Sequence, residues 1–255
     1  MKKLNLVIVS LFVISSVAYS DVISDLTAKK NNTQKQGITY NVVINGREYD
    51  KMEITEKGNN KLVKRDDMYT YSYLFENGKI YSIPDQWQQT EKNSPLMITV
   101  IPDAEAFKED LEECKIPDYS EYKAVRKETV NGYPCQVLQK VVSSKDMEDE
   151  MGNVFNRQEI SRIYVNEKNG YPVKVITYVR SKYKNEKNYT DYDDKESLDA
   201  EMLLSDFSTD LSGKMLTLPK NAYVVDPANS GSVDTKKLMG FYKQLADNED
   251  DEDEE

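Results

Sequence analysis

The side chains of this 255-residue chain that could do chemistry are its carboxylates, its tyrosines and two cysteines, because it contains no histidine. That absence rules out Ser-His-Asp and Cys-His nucleophile pairs and every histidine metal site. The most suggestive acidic cluster is Asp191-Tyr-Asp-Asp-Lys-Glu. It fails as a calcium loop, since Lys195 and Glu196 stand where a ligand and a glycine are required. Paired carboxylates can serve glycoside hydrolysis, yet with 45 acidic residues such pairs arise by chance. The expectation is a protein that is not an enzyme, with no catalytic residue, no metal and no cofactor. Cys114 and Cys135 cannot hold a structural zinc alone. In an oxidising compartment an even count suggests one disulfide, and closing a loop of about 20 residues contributes about 3 kcal/mol in the chain-entropy model. Two separate buried thiols are the alternative.

The oxidising compartment follows from the first 20 residues. Lys2 and Lys3 precede an apolar run from Leu4 to Val17, and Ala18-Tyr19-Ser20 supplies small residues for a signal peptidase. This pattern predicts a cleavable signal over 1–20, with cleavage before Asp21. The run is shorter than the roughly 20 residues that span a bilayer. The net charge of −11 becomes −13 without the two lysines, and eight negative charges lie within Asp247–Glu255. That stretch reads as a disordered acidic tail, leaving one domain over 21–246. So acidic a chain gains nothing from phosphate backbones, which argues against nucleic-acid partners.

The elements between these ends are mainly strands. Val22, Ile23 and Leu26 at helical spacing predict a helix from Asp21 to about Asn32. After Gly37, Ile38, Tyr40, Val42 and Ile44 alternate with polar residues as in a half-buried strand. Asn45-Gly46 signals a turn into a returning strand over 48–56, and Lys61–Lys64 follows a second turn. Met68–Phe75 reads as a strand with Tyr69, Tyr71, Tyr73 and Phe75 on one face, paired with Lys79–Ile83. A helix is expected over Asp103–Cys114, after an apolar run, Pro95–Ile101, whose type periodicity leaves open. Two further hairpins are expected, 122–130 with 133–142 and 158–167 with 171–180. Ser143–Asn156 and Tyr183–Ser197 read as polar loops. Strands over 198–210 and 222–226 and a helix over 235–246 complete the chain. Serial hairpins with few helices mean an α+β, mainly antiparallel β fold.

Two segments carry a family likeness. Phe75-Glu-Asn-Gly-Lys-Ile-Tyr-Ser-Ile-Pro-Asp-Gln-Trp-Gln-Gln-Thr is similar to a "dGk-x-aromatic-x-x-P-x-x-x-Q" hairpin. Asn131-Gly-Tyr-Pro-Cys-Gln-Val-Leu with Ile163-Tyr-Val-Asn-Glu-Lys-Asn-Gly-Tyr-Pro-Val-Lys-Val is similar to a "G-x-x-C-x-x-L … a-W-I-D-x-x-T-G-x-P-v-k" strand pair. Together with the element order, they make the chain resemble the periplasmic lipoprotein-carrier superfamily, whose type is the LolA-like outer-membrane lipoprotein-sorting protein. The likeness spans most of 21–228. Tyr164 stands where the family has Trp, and Asn166-Glu-Lys-Asn169 where it has Asp-x-x-Thr. The resemblance implies a half-open, incomplete β-barrel with helices covering its concave face. It also implies a monomeric, soluble periplasmic carrier of lipid or lipoprotein acyl chains, moving them toward the outer membrane between an inner-membrane donor and an outer-membrane acceptor.

A greasy hollow suffices for that task, since each buried methylene contributes roughly 0.8 kcal/mol. The expected lining is Tyr69, Tyr71, Tyr73 and Phe75, which offer area with polar tips, and Val42, Ile44, Val173 and Val175. The expected lid is Leu96–Ile101 with the helix Ala104–Glu113. The competing reading is an exported, non-catalytic β interaction module of the cell envelope.

Overall fold

The computed structural model describes residues 21–46, 51–65, 71–84, 97–101, 115–150, 152–183, 197–220, 222–228 and 239. The chain forms two compact units. Unit 1 takes in 1–33, 43–46 and 115–205, and unit 2 takes in 34–42, 47–114 and 206–255. One helix, α1, is described over residues 21–36. The strands of unit 2 are β1 (Ile38–Ile44), β2 (Met52–Lys57), β3 (Asn60–Arg65), β4 (Tyr71–Glu76), β5 (Lys79–Pro84), β6 (Met97–Val100) and β13 (Tyr223–Val225). Those of unit 1 are β7 (Lys123–Val130), β8 (Tyr133–Ser143), β9 (Met147–Glu148), β10 (Val154–Asn166), β11 (Pro172–Tyr183) and β12 (Ser197–Ser208). The last residues of β1 and of β12 fall in the other unit.

In unit 1 the strand order is β12-β11-β10-β8-β7, with β9 beside β10, all antiparallel. Asn131 and Gly132 both have positive φ, 51° and 80°, as the tight β7–β8 turn demands. Register then places Ala124 opposite Leu138, Leu138 opposite Ile163, Ile163 opposite Val175 and Val175 opposite Met202. Side chains of directly opposed residues share a face. Val22, Ile23 and Leu26 of α1 pack against this face with Tyr119 and Tyr122, forming one core around Leu138, Ile163 and Val165. A short 3-10 turn, Tyr119–Glu121, delivers the two tyrosines, capped by the Asp118 carboxylate accepting from the Ser120 N–H at 3.0 Å.

The helix comes down on the β10–β11 turn. A Cβ on Gly170 would lie 2.4 Å from the Lys30 nitrogen and 2.5 Å from the Leu26 carbonyl oxygen. The Tyr119 hydroxyl donates to the Gly170 carbonyl at 2.8 Å, and Thr33 Oγ1 donates to the Asn169 carbonyl at 3.0 Å. Lys30 Nζ stands 4.9 Å above the Tyr119 ring. Burial pushes the Tyr119 phenol pKa well up, so this donor keeps its proton.

In unit 2 the order is β13-β6-β5-β4-β3-β2-β1; β13 joins β6 in parallel and the other pairs are antiparallel. One face buries Leu62, Leu74, Tyr81, Ile83, Ile98 and Val100 beneath Met215, Leu216, Leu218 and Ala222. The opposite face buries Tyr40, Val42, Ile54, Val63 and Ile80. There Tyr40 donates to the Glu56 carboxylate at 3.1 Å, and Lys61 lies 3.2 Å from the same oxygen.

The antiparallel expectation stands, and the sheet is open: β7 ends one ladder and β13 the other. Three expectations are revised. Ser143–Asn156 is no long loop, because β8 runs to Ser143, β9 pairs with Val154 and Phe155, and Asp149 closes the turn by accepting from the Asn153 N–H at 2.8 Å. The run expected as a lid is β6, hydrogen-bonded between β5 and β13 with Ile98 and Val100 buried in the unit 2 core. Among the described residues one α-helix, not several, covers a sheet face. The helices expected over 103–114 and 235–246 lie outside the described residues, Met239 excepted, as does the tail after 246.

Candidate functional site

The apolar row of unit 1 is the candidate site. Ala124, Leu138, Ile163, Val175 and Met202 run across five neighbouring strands on one face. At about 4.8 Å per strand this is about 19 Å of continuous aliphatic surface. Leu138 and Ile163 are wholly buried, whereas Val175 is only partly so. The other face of these strands is covered differently. Arg162 lies 5.1 Å from the Tyr178 ring and donates to Gln139 at 3.0 Å. Lys174 pairs with Glu201 at 2.6 Å. Long charged side chains shield Val137, Ile160 and Ile176 on that face by their stems.

Of the eight expected lining residues, Val175 packs on the helix-covered core of unit 1, and Val173, fully buried, lies in the same strand at the irregularity between the Val165–Pro172 and Tyr164–Lys174 pairs. Ile44 is half-buried at the end of β1. Val42 is fully buried in unit 2. Tyr73 and Phe75 are half-buried and sit opposite Val63 and Ile80, on the face of β4 away from Leu74. Tyr71 opens β4, and Tyr69 lies outside the described residues. The eight positions are therefore divided between the two units. Leu138, Ile163 and Met202 were missed by the sequence reading, and a cross-strand count from the Lys168-Asn169-Gly170 turn could not have found them: it pairs Ile163 with Lys174, because the register shifts by one residue between Val165 and Tyr164.

The expected Cys114–Cys135 disulfide is not formed. Cys135 is a free, buried thiol whose Sγ donates to the Tyr133 carbonyl at 3.3 Å, while Cys114 lies outside the described residues. Its place at the start of β8, opposite Asn166 and Glu128, turns the side chain into the sheet packing. Burial pushes its pKa up to about 11. At pH 8 the folded protein should hold on the order of 100-fold less Cys135 thiolate than the unfolded chain. Iodoacetamide with peptide mapping should therefore modify Cys135 rapidly only after urea is added. Equal rates in both states would contradict this burial.

No group of three or more metal-ligating side chains occurs among the described residues, and no described helix is long and apolar enough to cross a membrane. No family model and no curated protein matches the sequence. A solved structure that matches is LprF from Mycobacterium bovis, at 11% identity, covering 80% of this chain and 98% of that chain, with a TM-score of 0.31. The functional reading rests on this chain's own residues.

Proposed function

We propose that this protein is a non-catalytic carrier that binds lipid or lipoprotein acyl chains through an apolar face. In this reading it is exported by its first 20 residues, works in the periplasm and transfers its cargo toward the outer membrane. The observation that carries the proposal is the five-strand aliphatic row under a single amphipathic helix. An acyl chain laid along that row would exchange water for the same contacts that α1 makes, at roughly 0.8 kcal/mol per methylene. Besides its apolar packing, the helix is held by Thr33 on the Asn169 carbonyl and by its Gln34 carbonyl, which accepts from the Gly58 N–H at 2.9 Å; neither is a ladder bond, so its displacement leaves the strand ladders intact. The two sequence segments that resemble the lipoprotein carriers point the same way.

The purified chain should bind a fluorescent phosphatidylcholine at micromolar concentration or tighter. Val175→Asp should weaken binding at least tenfold with an unchanged circular dichroism spectrum. Failure of the unaltered chain to bind would remove the carrier reading. It would favour the envelope interaction module, whose own support is the apolar end of unit 1, where Met147 and Tyr183 are exposed and the Tyr183 and Phe155 rings lie 5.6 Å apart.

A further inference from the structure

Unit 2 carries a second apolar row with a cover of its own. Leu62 stands opposite Leu74, Leu74 opposite Tyr81 and Tyr81 opposite Val100. These four strands give about 14 Å of surface. The cover is the segment 209–220 with Ala222, which crosses the strands in a non-repetitive conformation. Its described backbone hydrogen bonds are local, Lys214 N–H to Leu211 and Ala222 N–H to Pro219. It is tied to the sheet by polar groups at the margin: Lys214 Nζ to Glu53 at 2.5 Å, Asn60 Nδ2 to the Leu216 carbonyl at 2.8 Å, and the Leu218 N–H to Glu76 at 3.1 Å. Met215, Leu216 and Leu218 are half-buried, while Leu74, Ile83 and Ile98 beneath them are not exposed at all.

We infer that 209–220 is a displaceable strap and that the row beneath it is a second acyl-chain site. The inference rests on the carrier reading and deepens it. Three features favour displacement. No ladder is broken when the strap lifts. Gly213, at φ 75° with open space around it, supplies a pivot near one end. The other end stays anchored by β13 on β6. The occupant's chemistry follows from the groups left behind. The strap's alkyl side chains lie along the strip that a single acyl chain would take. Its departure strips Glu53 of Lys214 and Glu76 of the Leu218 N–H. Lys64 stands opposite Glu53 and Lys79 opposite Glu76, so the margin left behind is charge-balanced and the site takes an acyl chain through its apolar strip.

A phosphatidylcholine with a diazirine in one acyl chain tests this on the full protein, with peptides mapped after irradiation. Adducts are expected on the β3–β6 peptides bearing Leu62, Leu74, Tyr81 and Val100. Lys214→Glu, which sets an acid against Glu53, should raise their yield at least threefold. Unlabelled phospholipid should compete for these adducts. Adducts confined to the peptides of Leu138, Ile163 and Met202 would overturn the strap site and leave the carrier reading standing. Unchanged yields in Lys214→Glu would overturn it likewise, and absence of all adducts would overturn both.

Discussion

Gly170→Ala is expected to destabilise the protein by about 4 kcal/mol, as read from the urea midpoint. Two costs combine. Gly170 has φ 76°, where an L side chain costs roughly 1–2 kcal/mol. The new methyl would also lie 2.4 Å from the Lys30 nitrogen and 2.5 Å from the Leu26 carbonyl, and helix backbone cannot step aside as a side-chain tip can. Relief comes by lifting α1, which withdraws Leu26 from Ile163 and breaks the Thr33 bond to the turn and the Lys30 contact with the Tyr119 ring. The matched control is Gly132→Ala, with similar φ, 80°, but nothing within 4 Å of its Cβ. It should cost about 1–2 kcal/mol from the backbone term alone. If the two variants differ by less than about 1 kcal/mol, the close approach of helix and turn is not what holds α1.

The contrast between these two glycines shows how far the sequence could be read. Both sit in hairpin turns that residue type and spacing locate: Asn131-Gly132 and Lys168-Asn169-Gly170 were legible because turn chemistry is local. The periodicity of Val22, Ile23 and Leu26 located α1 for the same reason, although the helix runs on to 36, where Gly37 at φ 108° follows it. That Gly170, and not Gly132, bears the weight of the helix depends on contacts between residues some 140 positions apart, which no local pattern encodes. The candidate site divides along the same line. Val173 and Val175 were legible from alternation, while Leu138, Ile163 and Met202 join them only through register. The strap was not legible at all. Met215, Leu216 and Leu218 have neither helical nor strand period, since the segment bends to follow polar anchors on three different strands. The disulfide misled because counting cysteines fixes parity and not distance, and one of the pair is turned into sheet packing.

Ile98→Ala is expected to cost about 3 kcal/mol, and the same measurement separates a gate from a core strand. A lid closed over a hollow makes few contacts that global unfolding must break first, so trimming it should shift the urea midpoint little and alter ligand exchange instead. β6 is built otherwise. Ile98 is fully buried, lies opposite Val224 in the parallel pair with β13, and packs with Leu74 and Ile83 in the unit 2 core. The Ile101 N–H continues the attachment by donating to the Ile80 carbonyl at 2.9 Å. Deleting three buried carbons there leaves a cavity bounded by strands that cannot close on it, which places the loss in the 2–5 kcal/mol range of large-to-small core changes, about 3 kcal/mol for an isoleucine between paired strands. Val224→Ala, one strand away but 42% exposed, should change stability by less than about 0.5 kcal/mol. If Ile98→Ala behaved like Val224→Ala, β6 would be a movable element after all and the strap would lose the rigid floor it needs. A large loss confined to Ile98 leaves 209–220 as the movable part of unit 2, since β6 then belongs to what the strap covers.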